Sequence, residues 1–141
     1  MTLQFARKLG EFASLGGDAV LRAAIERHIA ERSQLFGLCQ HAVPCHNDFH
    51  EGNVLVARDD AGDWRVSGVV DVENTIAADP LVDLAETDCY SIRGDQVKRA
   101  ALPAGYGPAG EESAERLAIY SLYHNLELWD WFASIGRADP R

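Results

Sequence analysis

Behind Asp18, the residues Leu21, Ala24, Ile25, His28 and Ile29 fall on one stripe at helical spacing, which predicts a helix capped by Asp18 and running to about residue 36. A shorter helix precedes it. Near the other end, Leu117, Tyr120, His124, Leu128, Trp131 and Ile135 recur in steps of three and four, the signature of one long helix over 111–135. Leu122, Tyr123, Leu126 and Phe132 broaden its stripe, so this helix is expected to be well buried. Between these elements the period changes. Segments 54–57 and 64–70 are rich in β-branched residues and flank the acidic, glycine-containing stretch 59–63, which reads as a hairpin turn. Asp79-Pro80 then opens a further helix, with Asp at the cap, Pro at the first helical position and Leu81, Leu84 and Ala85 as its apolar face. Over 93–110 the breakers Gly94, Pro103, Gly105, Gly107, Pro108 and Gly110 predict irregular backbone. The pattern describes a single domain over 1–141 of the α+β class, mostly helical with one small sheet.

Composition narrows the function. At 141 residues and 47% apolar, the chain can bury a real core. Its formal charge of −9, from 13 basic and 22 acidic residues, argues against a nucleic-acid partner, which would require clustered Lys and Arg. It leaves room for a cationic one. No segment approaches the length of an apolar membrane span, and no signal-peptide pattern opens the chain, so neither membrane insertion nor export is expected. The odd set Cys39, Cys45 and Cys89 fits reduced thiols. Cys39, His41, Cys45, His46 and His50 crowd together in sequence, yet they offer no clean C-x-x-C pair of the kind structural zinc prefers.

The chemistry concentrates in His46-Asn47-Asp48-Phe49-His50-Glu51-Gly52-Asn53 and in the apolar stretch Val66 to Val70 that ends on Asp71. Phosphoryl transfer asks little covalent work of a protein: one carboxylate orients the attacking hydroxyl, and metal ligands hold cations on the β- and γ-phosphates. In the order H-x-D-x-x-x-x-N followed by a strand-end Asp, Asp48 is the candidate base, and Asn53 and Asp71 are candidate magnesium ligands. Asn53 precedes the first hairpin strand and Asp71 closes the second. Antiparallel pairing therefore brings both to one end.

These blocks, with Val54-Leu55-Val56, Gly68-Val69-Val70-Asp71-Val72-Glu73 and Asp79-Pro80-Leu81-Val82-Asp83-Leu84-Ala85, resemble the aminoglycoside phosphotransferase family, relatives of choline and homoserine kinases. The resemblance runs from about Leu9 into the C-terminal helix, with Val72 standing where the family usually has an aromatic residue. It implies a protein-kinase-like C-terminal lobe whose β-hairpin carries the metal ligands, with Asp48 as catalytic base and Asn53 and Asp71 on Mg²⁺. Residues 5–12 look like the helix after the family's hinge. A phosphate-covering Gly-rich loop and a strand lysine are not legible, since the two lysines, Lys8 and Lys98, lie outside any strand pattern. The expectation is a C-terminal lobe without the N-terminal nucleotide lobe, inactive by itself and able to self-associate through the lobe face left exposed.

Milder roles suit the neighbours. His46 is read as a support of the loop, because the transfer already has its base; Asp79 and Asp83 are read as helix cap and loop buttress. His50 and Glu51 have no assigned role. Trp129, Trp131, Tyr120, Tyr123 and His124 are read as core or interface, and Glu111, Glu112 and Glu115 as a charged first helical turn. Two functions follow. The first is a cytoplasmic ATP- or GTP-dependent O-phosphotransferase acting on a small hydroxylated molecule, an aminoglycoside-like cation favoured. The alternative is a non-catalytic lobe that binds a partner.

Overall fold

The computed structural model describes residues 1–107 and 113–137. The chain forms two compact units, one built from 1–41 with the described part of 110–141, the other from the described part of 42–109.

The first unit is helical. Helix α1, Thr2–Ser14, α2, Ala19–Glu31, and α5, Ser113–Ser134, bury Phe5, Leu9, Phe12, Ile25, Ile29, Ile119, Tyr120, Tyr123 and Leu126. Aromatic rings dominate this core: Phe5 meets Tyr123 edge-on at 5.4 Å, and Phe12 lies 4.3 Å from Trp129. Asp18 caps α2 by accepting the Leu21 N–H at 2.7 Å. The helix ends at Glu31, earlier than its sequence stripe, and a short 3₁₀ turn, Ser33–Gly37, completes the segment. Only Ile25 and Ile29 of that stripe are buried, and Leu21 is exposed. The long C-terminal helix is present, but its stripe fades at the end, where Trp131 is 55% exposed. Glu111 and Glu112 lie outside the described residues.

Polar groups are threaded through this apolar packing. Glu127 accepts from the Tyr123 hydroxyl at 2.9 Å, lies 3.2 Å from His124 Nδ1 and pairs with Lys8 at 3.5 Å. Asp130 fares differently. It is 5% exposed, and its carboxylate oxygens make no hydrogen bond to a described donor. Burial is the main reason its carboxyl is pushed up to about 6; Lys8 pulls it back, while the charges of Glu11 and Glu127 add to the rise. A carboxyl raised on folding costs stability once it must ionise, so the penalty is absent below about pH 4 and complete above about pH 6. Asp130→Asn is therefore expected to stabilise the protein by about 1–3 kcal/mol at pH 7.5 and by nothing measurable near pH 4. Thermal melts of both proteins across that range check this, and a gain that persists at pH 4 would contradict it.

The second unit holds two small antiparallel ladders where the sequence pattern showed one. In the hairpin, β2, Val54–Arg58, pairs with β3, Trp64–Val69, with a bulge between Leu55 and Val56. The expected turn is tied by Asp59, whose Oδ1 accepts from the Ala61 and Asp63 amides while Oδ2 accepts from Arg65 at 2.8 Å. The other ladder joins β1, Val43–Cys45, to β4, Ile76–Ala78. Three-residue strands, one with a central proline, are too short to register as a period. Helix α3, Leu81–Thr87, follows, with Leu81, Val82, Leu84 and Ala85 buried beneath it.

Region 93–110 is a correction. Instead of irregular backbone its described part contains α4, Gln96–Tyr106; Pro108 and Gly110 lie outside the described residues. Gly94 takes the left-handed turn at φ +83°, and Asp95 Oδ1 then caps the Val97 and Lys98 amides at 2.8 and 3.2 Å. The cap starts the helix in spite of the breakers. Across all described residues, no helix is long and apolar enough to cross a membrane.

Candidate active site

The loop that leaves β1 is held from below by one face of α3. The His46 and Asn47 amides donate to the two carboxylate oxygens of Asp83 at 2.8 and 2.9 Å, and the Phe49 amide donates to Glu86 Oε2 at 2.9 Å. Three loop amides thus lean on two carboxylates spaced three residues apart, which a helix presents on one side. Asp83 was expected in this place. Glu86, 3% exposed, was missed, although its spacing from Asp83 is a signal that would have found it. Asp79 caps the start of α3 through the Leu81 amide at 3.0 Å, and its carbonyl accepts from the Cys45 thiol at 3.3 Å. Burial first, then the charges of Asp83 and Asp79, push that thiol up to about 11, so it stays protonated and serves as packing.

The buttress matters because the backbone it holds is strained. Asn47 sits in the left-handed region at φ 58° and so does Asp71 at φ 69°, conformations that cost side-chain-bearing residues free energy unless neighbours enforce them. Asp48 follows Asn47 and emerges half-exposed. The Asn53 amide Nδ2 donates to the Asp48 carbonyl at 2.9 Å and lies 3.3 Å from its Oδ2. On the other side, His50 Nε2 stands 3.8 Å from Asp48 Oδ1. His50 Nδ1 accepts from the Gly52 amide at 3.0 Å, which fixes the ring over residue 52. A Cβ there would meet the ring at 2.8 Å, so glycine is demanded by this close approach more than by a turn angle.

Asn53 also belongs to the hairpin. Its carbonyl accepts the Val70 amide at 3.0 Å, one bond beyond the end of the β2–β3 ladder, and this sets Asp71 at the same end as Asn53. His46 spans the same gap: its Nε2 lies 2.9 Å from the Val70 carbonyl. That is the loop support anticipated for it. Glu73, two residues after Asp71, was not singled out in sequence. Its carboxyl is held above the usual range because it shares a hydrogen bond with Asp71 and feels Asp71's charge and, more weakly, that of Asp48. Asp48, Asp71 and Glu73 therefore form one field of negative charge with Asn53 between them.

Such a field suits a cation. Among the described residues no group of three or more His, Cys, Asp or Glu side chains forms a ready-made metal cage. Magnesium is usually held by one or two carboxylates together with water and substrate phosphates, and the donor set Asn53, Asp71 and Glu73 has that character. Cys39, Cys45 and Cys89 are all free thiols.

A family model described as the phosphotransferase enzyme family matches residues 3–118. The chain belongs to that family, in keeping with its aminoglycoside phosphotransferase-like and choline kinase-like motifs. Comparison with curated proteins and with solved structures finds no match.

Proposed function

We propose that this phosphotransferase moves the γ-phosphate of ATP or GTP to a hydroxyl of a small molecule, using Asp48 as the acceptor's base and Asn53 and Asp71 as the metal ligands. The observation that carries the reading is the double attachment of Asn53. Its side chain holds Asp48 while its carbonyl holds Val70, so the acid and the metal end of the hairpin move as one piece. In the kinase-like lobe that this reading assigns to the chain, the acceptor hydroxyl gives its proton to the Asp48 carboxylate as its oxygen bonds to the γ-phosphorus, and the nucleoside diphosphate leaves. Asn53 Oδ1 and the Asp71 carboxylate, with Glu73 beside them, would hold Mg²⁺. When bound, the ion neutralises charge across the β- and γ-phosphates. Such an enzyme would work in the cytoplasm, where its nucleotide is.

Magnesium titration of the rate tests the pairing. Asp71→Ala is expected to raise the half-saturating magnesium concentration by about tenfold or more, because it removes a charged ligand, while the KM for the acceptor changes little. An unchanged half-saturation would remove Asp71 from the metal site. Absence of any magnesium-dependent transfer, with Asp48 intact and across nucleotides and acceptors, would favour the non-catalytic reading.

A further inference from the structure

Beside the catalytic loop the second unit contains a cleft of about 500 Å³, a size that accommodates a small organic ligand. It opens next to Asp48: Phe49 and His50 line it, and His50 is the ring 3.8 Å from the Asp48 carboxylate. Phe49, Val54, Ile92, Ala101, Leu102 and Tyr106 supply most of its wall. Helix α4, which the sequence pattern missed, forms one side.

The charges lining it cancel. Glu51 and Lys98 are the only Asp, Glu, Lys or Arg side chains among the described lining residues, and they pair with each other, Lys98 Nζ reaching Glu51 Oε1 at 3.3 Å and the Ser91 carbonyl at 2.9 Å. An ammonium group seated among these lining residues, away from the Asp48 end, would lose its water without gaining an unpaired carboxylate, and it would meet Lys98. A polycationic amino sugar brings several such groups. One neutral polar handle is available: Ser91 Oγ is buried without a hydrogen bond of ordinary geometry, although it lies near enough to Glu51 to influence it.

We propose that the acceptor is an uncharged alcohol with an apolar ring or branched hydrocarbon body, seated in this cleft with its hydroxyl toward Asp48 and one further polar group within reach of Ser91. This rests on the phosphotransfer reading for the identity of the reacting hydroxyl, but the shape and neutrality of the site stand apart from it.

The test is binding, measured without turnover. Saturation-transfer NMR on the purified chain, with 2-phenylethanol and cyclohexylmethanol as probes and kanamycin as the polycationic comparison, should show contact for the two alcohols, with affinity at least tenfold above that for kanamycin. Ala101→Phe, which fills the cleft, should weaken alcohol binding by tenfold or more. Asp48→Asn should leave it within about twofold, because the apolar body dominates binding. Leu102→Ala provides a second variant if Ala101→Phe does not fold, with several-fold weaker binding expected. Kanamycin binding more tightly than either alcohol, or alcohol binding indifferent to both cleft variants, would overturn the proposal. A transfer assay on a form of the protein that also binds nucleotide separates the two ideas: alcohols that bind but accept no phosphate there would count against the phosphotransfer reading alone, and phosphate transferred to kanamycin but to neither alcohol would sink the acceptor class alone.

Discussion

In a catalytically competent form of the protein, Asp48→Asn is expected to lower kcat by about 10²–10⁴-fold while leaving folding and nucleotide affinity nearly unchanged. The amide cannot take the acceptor's proton, yet it has nearly the volume of the carboxylate and can still lie against Asn53 Nδ2, so the loop keeps its shape. Activity is the sensitive readout because the carboxylate gains its importance only as the hydroxyl is deprotonated. Single-turnover measurements at saturating nucleotide, alongside a thermal melt, distinguish this from a folding defect. Retention of more than about a tenth of the wild-type rate would remove Asp48 from the role of base.

The second large effect is expected at a residue that touches no substrate. Asp83→Ala deletes the acceptor of two backbone amides, His46 and Asn47, and leaves both donors facing a partly buried space. Charge-assisted bonds of this kind contribute about 1.5–3 kcal/mol each, and an orphaned donor adds to the loss. A drop of about 2–4 kcal/mol in stability is expected, together with a fall in kcat of at least about tenfold, since the left-handed Asn47 backbone is no longer enforced. Asp83→Asn retains one acceptor and should recover part of both losses. If Asp83→Ala melts like wild type, the buttress contributes little and the strain at Asn47 is borne elsewhere.

The candidate motif was more legible than its scaffold, for a physical reason. Asp48, Asn53 and Asp71 are spaced by local geometry, a short loop and a hairpin, and local geometry leaves a local trace in residue order. The Asp59 turn and the Asp18 cap were readable on the same ground, because each is satisfied within a few residues. What escaped depends on partners distant in sequence. The ladder of β1 with β4 joins segments that lie on either side of the hairpin, and its three-residue strands carry no period. Glu86 meets Phe49 across the same separation. Helix α4 was hidden by glycines and a proline, and the signal that starts it, the Asp95 cap, was not read. In α2 the reverse occurred: a stripe that continued to residue 36 on paper ends at Glu31, because Arg32 departs from helical geometry and the 3₁₀ turn takes over.

The hairpin has a consequence for how this sequence can vary. Its two ends are committed, Asn53 to the loop and Val70 to the step before Asp71, and the rungs between them follow a fixed register from Val54 opposite Val69 to Arg58 opposite Trp64. Side chains alternate along a strand with a period of two, so a single-residue insertion within either strand would invert every later position and turn the ligand end out of place. The tip obeys no such parity. Residues added or removed around Asp60 and Ala61, beyond the last rung, shift nothing at the far end of the ribbon. Length variation is thus tolerable in the turn and, within the ladder, tolerable only where a bulge such as that between Leu55 and Val56 absorbs it, and the distance in sequence between the two metal-ligand candidates is free to drift while their distance in space is not.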